Sequence, residues 1–131
     1  MEFELHKRLE KDLILLKQLE LSDLFFLPNA QLPWVVLVPR VPAIKELHQL
    51  RMKDQQSLLL EINELSKKLE KEFTPDKINI ASLGNMVPQL HIHIICRYKN
   101  DPAWPGSIFG TELDSSTNKT KILEAKIKSI L

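Results

Sequence analysis

The nine residues from Gln89 to Arg97 constrain the fold more than any other part of the chain, because polar and apolar side chains alternate along them. Successive side chains of a β-strand point to opposite faces of the sheet. The segment divides into two faces, with Gln89, His91, His93, Ile95 and Arg97 on one and Leu90, Ile92, Ile94 and Cys96 on the other. We predict a strand over Gln89–Tyr98 whose polar groups are sorted to one face.

Three other segments have the periodicity of regular structure. Two short apolar runs, Asp23–Leu27 and Trp34–Val38, enclose a turn with proline and asparagine, which is typical of a β-hairpin. Apolar residues at steps of three and four predict the main helix, from about Met52 to Glu72. After a Thr-Pro-Asp break, Lys77–Leu83 is predicted to be a further strand.

The two ends of the chain complete the pattern. The first twenty residues place apolar side chains among charges at nearly helical spacing, which predicts an amphipathic segment lying on the core. Residues Lys119–Leu131 suit a short terminal helix. Strands and helices fall in separate blocks, and three glycines are few for an all-β barrel. We predict an α+β fold, an antiparallel β-sheet with one long helix and shorter terminal helices, as a single domain over residues 1–131.

Charge and cysteine content narrow the classes of partner. The 18 basic and 17 acidic residues nearly cancel, so no strong field exists to hold nucleic acid or a membrane, and neither is expected as a partner. A small phosphorylated ligand needs only a few local donors and stays open. Cys96 is the only cysteine, which excludes an internal disulfide, and the first residues lack the order of a signal peptide. We expect a cytoplasmic protein.

His91 and His93 are the residues of the motif best suited to chemistry. Residues two apart along a strand are separated by roughly 6.5 to 7 Å, so two imidazoles can address different atoms of one phosphate. A neutral imidazole is a competent nucleophile towards phosphorus, and an imidazolium donates hydrogen bonds to phosphate oxygens near neutral pH. The pair predicts that one histidine attacks a phosphate while the other stabilises charge.

Two other interpretations of the pair involve no phosphate. Both histidines can be partly exposed residues on the polar face of a strand, with no function. They can also bind one metal ion, because side chains at positions i and i+2 share a face. A closed metal site would need further ligands, but Cys96 points to the opposite face, and His6 and His48 lie in or beside predicted helices. We therefore expect no metal site.

The segment Gln89–Arg97 resembles the signature of the histidine triad family, in which three alternating histidines on a strand are each followed by an apolar residue. Glutamine stands where the first of these histidines would be. The closing run Ile94-Ile95-Cys96-Arg97 fixes the frame, because the family often ends the motif with apolar residues and then arginine. In that frame His91 is the middle position.

The resemblance extends over most of the chain, from about Leu21 to Gly110. Residues 26–40 look like the family's first strand pair, while residues 84–91 and 101–105 are similar to a bacterial branch described as diadenosine-polyphosphate-hydrolase-like. The resemblance implies the family's α+β fold and a homodimer whose sheets join. It also implies that a nucleotide lies on the sheet beside the motif.

By this resemblance, His91 would attack the α-phosphate of a nucleotide and form a nucleotidyl-histidine intermediate, which water then hydrolyses. His93 would contact phosphate oxygens, Asn29 would lie near the ribose, and Asn85 would contact a phosphate. Gln89 would take the first histidine's place among the catalytic and phosphate-binding residues. Glutamine cannot carry a proton to a leaving group at neutral pH, so leaving-group protonation must come from elsewhere or matter less.

Asn29 and Asn85, and two further residues near the motif, Arg97 and Trp104, also have structural interpretations. Asn29 and Asn85 lie in turns, where asparagine commonly hydrogen-bonds its own backbone. Arg97 can be a surface charge at the strand end. Trp104 can belong to the core, to a dimer contact or to a lid over the base.

The function that follows is that of a nucleotide hydrolase or nucleotidyl transferase acting on phosphoanhydride or phosphoramidate bonds. Its substrate would be a nucleotide such as a diadenosine polyphosphate or a nucleoside phosphoramidate. We expect no required cofactor, and any Mg²⁺ would be bound to the substrate's phosphates. The alternative is a nucleotide-binding or partner-binding protein on the same fold that lacks turnover.

Overall fold

The computed structural model describes residues 1–131 and contains one five-stranded antiparallel sheet with three α-helices. The strands are β1 (Ile14–Gln18), β2 (Ser22–Phe26), β3 (Trp34–Pro39), β4 (Lys77–Ala81) and β5 (Ile92–Arg97), and their order across the sheet is β1-β2-β3-β5-β4. The helices are α1 (Lys7–Asp12), α2 (Met52–Phe73) and α3 (Thr117–Ser129), with a 3₁₀ turn at Leu47–Gln49. The predicted α+β class is confirmed. No helix combines the length and apolar character needed to cross a membrane.

The strand that carries the histidines lies inside the sheet. β5 pairs antiparallel with β3 on one side and with β4 on the other, and all six of its residues are buried. The hairpin predicted from the two apolar runs is confirmed as β2 and β3, in the register Phe26 opposite Val35. Because both neighbours of β5 are hydrogen-bonded to it, its side chains are held on a rigid support.

One side of the sheet, which we call the helix face, is covered by α2 and α3. Alternate strand residues Phe26, Val35, Ile94 and Cys96 belong to a single buried cluster with leucines of α2 and with Ile127 of α3. The leucines at 58, 65 and 69 lie at near-helical spacing on one side of α2, so the stripe read from the sequence is the buried one. Cys96 is part of this cluster, as the alternation predicted, and burial raises its pKa to about 12.

The opposite side, which we call the histidine face, is covered without a long helix. Its cluster joins Trp34, Val36 and Ile95 of the strands to Leu9, Leu13 and Ile108 from the two flanking segments. Val36 lies opposite His93 in the β3–β5 register, which places the histidines on this face. The sorting of the motif into two faces is therefore confirmed.

The predicted strand Lys77–Leu83 ends at Ala81, and the terminal helix spans Thr117–Ser129. Two further differences have a clear physical reason. The N-terminal segment does lie on the core, but its helix ends at Asp12, and Ile14–Gln18 continues as the edge strand β1 because β2 offers unpaired backbone groups there. The motif strand begins at Ile92 and not at Gln89, since the Leu90 amide donates to the carbonyl of Ile44 outside the sheet.

Candidate active site

His91 and His93 lie next to each other on the wall of one open cleft. Each side chain is largely buried, and their ring centroids are 5.0 Å apart. The cleft has a volume of about 510 Å³ and is walled by residues 27–29, 83–87, 108–111 and 113 together with Trp34, His91 and His93. The two imidazoles therefore face the same space, which can hold a small molecule.

The tautomer of the neutral His91 ring is set by a backbone carbonyl. Its Nδ1 lies 2.7 Å from the carbonyl oxygen of Gln89. A carbonyl oxygen only accepts hydrogen bonds, so the Nδ1 atom carries the hydrogen. In the neutral ring the lone pair then resides on Nε2, the nitrogen that is free to attack an electrophile in the cleft.

His93 is fixed in the opposite tautomer by an indole. The Nε1–H group of Trp34 donates to Nδ1 of His93 at 2.9 Å, and an indole N–H cannot accept. The hydrogen of the neutral His93 ring therefore resides on Nε2. Burial, and to a smaller extent the nearby His91, together lower the pKa of His93 to about 4.

The charge state of His93 differs from the one expected from the sequence. An imidazolium was expected to stabilise phosphate, but with a pKa of about 4 the ring is neutral at pH 7. Its Nε2–H remains a hydrogen-bond donor. One histidine thus presents a lone pair and the other a hydrogen, which is the complementary pair that attack on a phosphate requires.

Aromatic packing holds the His93 ring in place. Phe109 meets His93 edge to face with 4.9 Å between ring centroids, and it meets Trp34 in the same way at 5.4 Å. Trp34 is buried on β3, whereas Phe109 comes from the irregular segment after Gly106. The three rings support one another, so rotation of the His93 side chain is restricted.

The buried neutral state of His93 predicts a pH dependence of stability. Unfolding restores its pKa to 6.5, so between pH 6.5 and 4 the unfolded chain binds a proton that the folded chain does not. Stability is therefore lost as the pH falls through this window, by about 2 kcal/mol between pH 7 and pH 5. Urea unfolding of the wild type and of His93→Gln at both values measures it, and equal pH dependence in the two proteins would contradict it.

The family model described as the HIT domain matches residues 8–100. The chain belongs to the histidine triad family. It is similar to a histidine triad protein from Marinobacter aquaeolei VT8, with 42% identity and a TM-score of 0.93 over 100% of this chain and 97% of that one. Histidine triad proteins from Bradyrhizobium japonicum and Sinorhizobium meliloti are each 37% identical, with TM-scores of 0.90 over 98% of this chain and 98% and 97% of theirs. No curated protein matches this chain.

Of the residues proposed from the histidine triad resemblance, His91, His93, Asn29 and Asn85 all line the cleft. Asn85 is exposed in the loop before the motif. The amide of Asn29 is fully used by its own turn, because it donates to two backbone carbonyls and accepts from two backbone amides at 2.7 to 3.0 Å. The structure thus favours the turn role for the Asn29 side chain.

Gln89, which stands at the first position of the histidine triad motif, does not line the cleft. Its side-chain oxygen accepts from the backbone N–H of His6, and its side-chain nitrogen donates to the carbonyl of Glu4, both at 2.8 Å. Both polar atoms of this amide are occupied by the N-terminal segment. The structure therefore does not bring Gln89 to the two histidines as a third cleft residue.

Arg97 is not the surface charge that one interpretation of the histidine triad motif suggested. It is 1% exposed, and its guanidinium donates to both carboxylate oxygens of Asp101, at 2.7 and 3.0 Å, and to Asn79 and the Gly106 carbonyl. The hydrogen bonds from Arg97 hold the pKa of the Asp101 carboxyl far below its usual range. Trp104 packs over the Arg97 guanidinium, 5.8 Å from the ring centre, and does not line the cleft. The interpretation of Trp104 as a lid is not supported.

Trp34 and Phe109 are the site residues of this histidine triad protein that sequence reasoning missed. Trp34 was assigned to a strand but without a role, although its register with Ile95 on β5 places it beside His93. Pairing register cannot be read from a single strand. Phe109 lies in an irregular segment, so no periodicity could indicate which way it faces. No group of three or more His, Cys, Asp or Glu side chains is arranged to hold a metal ion.

Proposed function

We propose that this protein is a histidine triad nucleotide hydrolase or nucleotidyl transferase, in which His91 attacks the α-phosphate of its substrate. The observation that carries the proposal is the opposed pair of tautomers in one cleft: the carbonyl of Gln89 directs the lone pair of His91 to Nε2, and Trp34 directs the hydrogen of His93 to Nε2. Membership of a family with nucleotide-binding and hydrolase-type functions supports the same assignment.

The first step forms a bond between Nε2 of His91 and phosphorus. The bond from phosphorus to the leaving group breaks, and the leaving group departs with the electron pair. The His91 ring becomes a cation that keeps its Nδ1 hydrogen, and the Gln89 carbonyl, 2.7 Å away, stabilises this charge. The Nε2–H of His93 donates to a phosphate oxygen as negative charge develops there.

The second step releases the nucleotide. A water molecule, or another nucleophile in a transferase, attacks phosphorus and the bond to Nε2 breaks. The electron pair returns to the His91 ring, and the proton of the water leaves with solvent. Because the ring is held by the same Nδ1 hydrogen bond throughout, both steps require positioning and no movement of the motif.

The polarity of the cleft bears on the choice between a nucleoside phosphoramidate and a diadenosine polyphosphate as substrate. No lysine, arginine, aspartate or glutamate is among the 16 residues that line it, and His93 is neutral. A polyphosphate chain would bring several negative charges with no cation of this chain to pair with them. We infer that a nucleotide with a single phosphate, such as a nucleoside phosphoramidate, is preferred over a diadenosine polyphosphate. No cofactor is proposed, and Mg²⁺ would enter with a polyphosphate substrate.

The experiment that tests the proposal is intact mass spectrometry of protein quenched during turnover. The panel contains adenosine and guanosine phosphoramidates and a diadenosine polyphosphate with Mg²⁺. We expect an adduct of one nucleoside monophosphate on the wild type, most abundant with a phosphoramidate, and none on His91→Ala. Absence of both adduct and product with every substrate would contradict the enzyme proposal.

One observation favours the second candidate, a nucleotide-binding protein without turnover. Gln89 faces away from the cleft and His93 is neutral, so neither of these two residues offers an acidic proton for the leaving group at neutral pH. Calorimetric titration of nucleoside monophosphates separates the candidates. Tight binding with no turnover of any panel member would identify a binding protein.

We further propose that the protein forms a homodimer through the edge strand β4. Its outer edge is unpaired, and beside it lies a groove of about 420 Å³ between β4 and the first half of α2, lined mainly by apolar residues. Leu47, Met52, Leu59 and Ile80 expose half or more of their surface there. A second copy related by a two-fold axis would pair the two β4 edges and bury both grooves.

If the groove beside β4 lies in the dimer interface, a charged side chain in the groove should disrupt the dimer, whereas a charged side chain elsewhere on α2 should not. Ile80→Lys would place an ammonium group in the interface and is expected to give a monomer, because an unpaired buried charge costs several kcal/mol. Leu60→Lys is the matched control, since Leu60 is also exposed on α2 but lines a different cleft. Light scattering after gel filtration gives the masses. A wild-type monomer, or an equal effect of both variants, would contradict the proposed interface.

A further inference from the structure

The side chain of Gln89 connects the motif to a distant part of the chain. Its two polar atoms bond the backbone of residues 85 and 83 positions earlier in sequence, the carbonyl of Glu4 and the N–H of His6. These residues directly precede α1, and Phe3 and Leu5 beside them pack against the cluster of the histidine face. The glutamine is therefore a fixed contact between the N-terminal segment and the residue that starts the motif.

The chemistry of an amide suits this contact. In an extended segment the carbonyl of residue i and the N–H of residue i+2 point to the same side. A carboxamide presents its N–H and its oxygen side by side, so it bonds both groups as a parallel strand would. The two nitrogens of an imidazole diverge from each other, and a histidine at this position could satisfy only one of the two backbone groups.

The same residue also orients His91. Its main-chain carbonyl oxygen accepts a hydrogen bond from Nδ1 of His91, 2.7 Å away, and residue 89 lies outside the regular ladder of β5. Because no strand pairing fixes residue 89, its position depends on other contacts. The two bonds of its side chain supply such contacts at the place where the His91 tautomer is determined.

We propose that Gln89 is a positioning residue: by fastening Glu4–His6 to the motif, its side chain fixes the main-chain carbonyl that orients His91. The kinetic part of this inference rests on the proposed function, whereas the structural part does not. Gln89 thus occupies the position of the first histidine of the motif, but its side chain does not contact the substrate.

The test is a double-mutant cycle across the contact. Gln89→Met keeps the length of the side chain and removes both hydrogen bonds. His6→Pro removes the backbone N–H donor, and the φ of −57° at His6 is one that proline adopts. His6→Ala is the matched control, because it removes the imidazole that caps α1 and keeps the N–H.

We expect Gln89→Met and His6→Pro each to lower kcat by about 10- to 100-fold with little change in KM, as loss of a partner that orients a catalytic group does. The double variant should be no slower than the slower single variant, since His6→Pro removes one of the two hydrogen bonds that Gln89→Met already removes. His6→Ala should retain kcat within about threefold. If Gln89→Met alone were slow and His6→Pro matched His6→Ala, Gln89 would act on the substrate and the proposal would be overturned.

A second readout needs no turnover. Exchange of the His6 amide hydrogen should be at least about tenfold faster in Gln89→Met than in the wild type. The ¹⁵N spectrum of His91 should show a mixture of both tautomers in the variant, and the Nδ1–H tautomer alone in the wild type. Unchanged exchange and an unchanged His91 spectrum would overturn the proposal. If the wild type turns over no substrate, the proposed function fails while these two measurements still decide the role of Gln89.

Discussion

His91→Ala is expected to lower kcat by about 10⁴-fold or more, because it removes the atom that forms the bond to phosphorus. No other side chain in the cleft replaces it: His93 presents a hydrogen and not a lone pair, and Asn29 uses its whole amide in a turn. Nucleotide binding should change much less, because the apolar walls of the cleft remain. Steady-state kinetics and calorimetric titration of the same variant measure the two effects.

The control for this variant is His48→Ala, at a histidine that is exposed on the 3₁₀ turn and does not line the cleft. It should retain wild-type kinetics. His93→Ala is expected to be intermediate, with a loss of about 10²- to 10³-fold, since it removes a donor to the phosphate but leaves the nucleophile. A His91→Ala protein within tenfold of the wild type would show that another group attacks the substrate.

Arg97→Met is expected to cost about 3 to 5 kcal/mol of unfolding free energy, the largest effect on stability that we predict. Both partners of the ion pair have only 2% of their side-chain surface exposed. Without the guanidinium, the buried Asp101 carboxylate would keep its bonds from backbone N–H groups but lose its only cation, and the Gly106 carbonyl and Asn79 would each lose a donor. Urea unfolding at pH 7 measures the cost.

A matched double variant separates the ion pair from packing. Arg97→Met with Asp101→Asn removes both charges and keeps a side-chain oxygen that accepts from the backbone N–H groups of Ala103 and Trp104, so it should recover part of the stability that the single variant loses. KM should stay unchanged in Arg97→Met well below its unfolding temperature, because neither residue lines the cleft. A cost below about 1 kcal/mol for the single variant would contradict the structural role of Arg97.

Local patterns in the sequence predicted much of the fold, because the spacing of apolar residues reflects the periodicity of strands and helices. The alternation of the motif fixed which side chains share a face, and the spacing of the leucines located α2. The strand at Ile14–Gln18, which the sequence did not predict, and the burial of Arg97, for which it left a surface position open, have a common physical origin. Ile14–Gln18 became a strand because β2 supplied backbone partners, and Arg97 became buried because Asp101 folds back onto it. Both outcomes depend on contacts between segments.

The candidate site divides in the same way. The sequence by itself determined that His91 and His93 lie side by side on one face of a strand, because two residues per repeat is a local property of the backbone. Only the tertiary structure decided how each ring is protonated and what surrounds it. Trp34 is bonded to His93 through the register of β3 with β5, Phe109 arrives from an irregular segment, and Gln89 turns to the N-terminal segment. These contacts join residues distant in sequence, and the geometry of such contacts is set by packing and not by any local pattern.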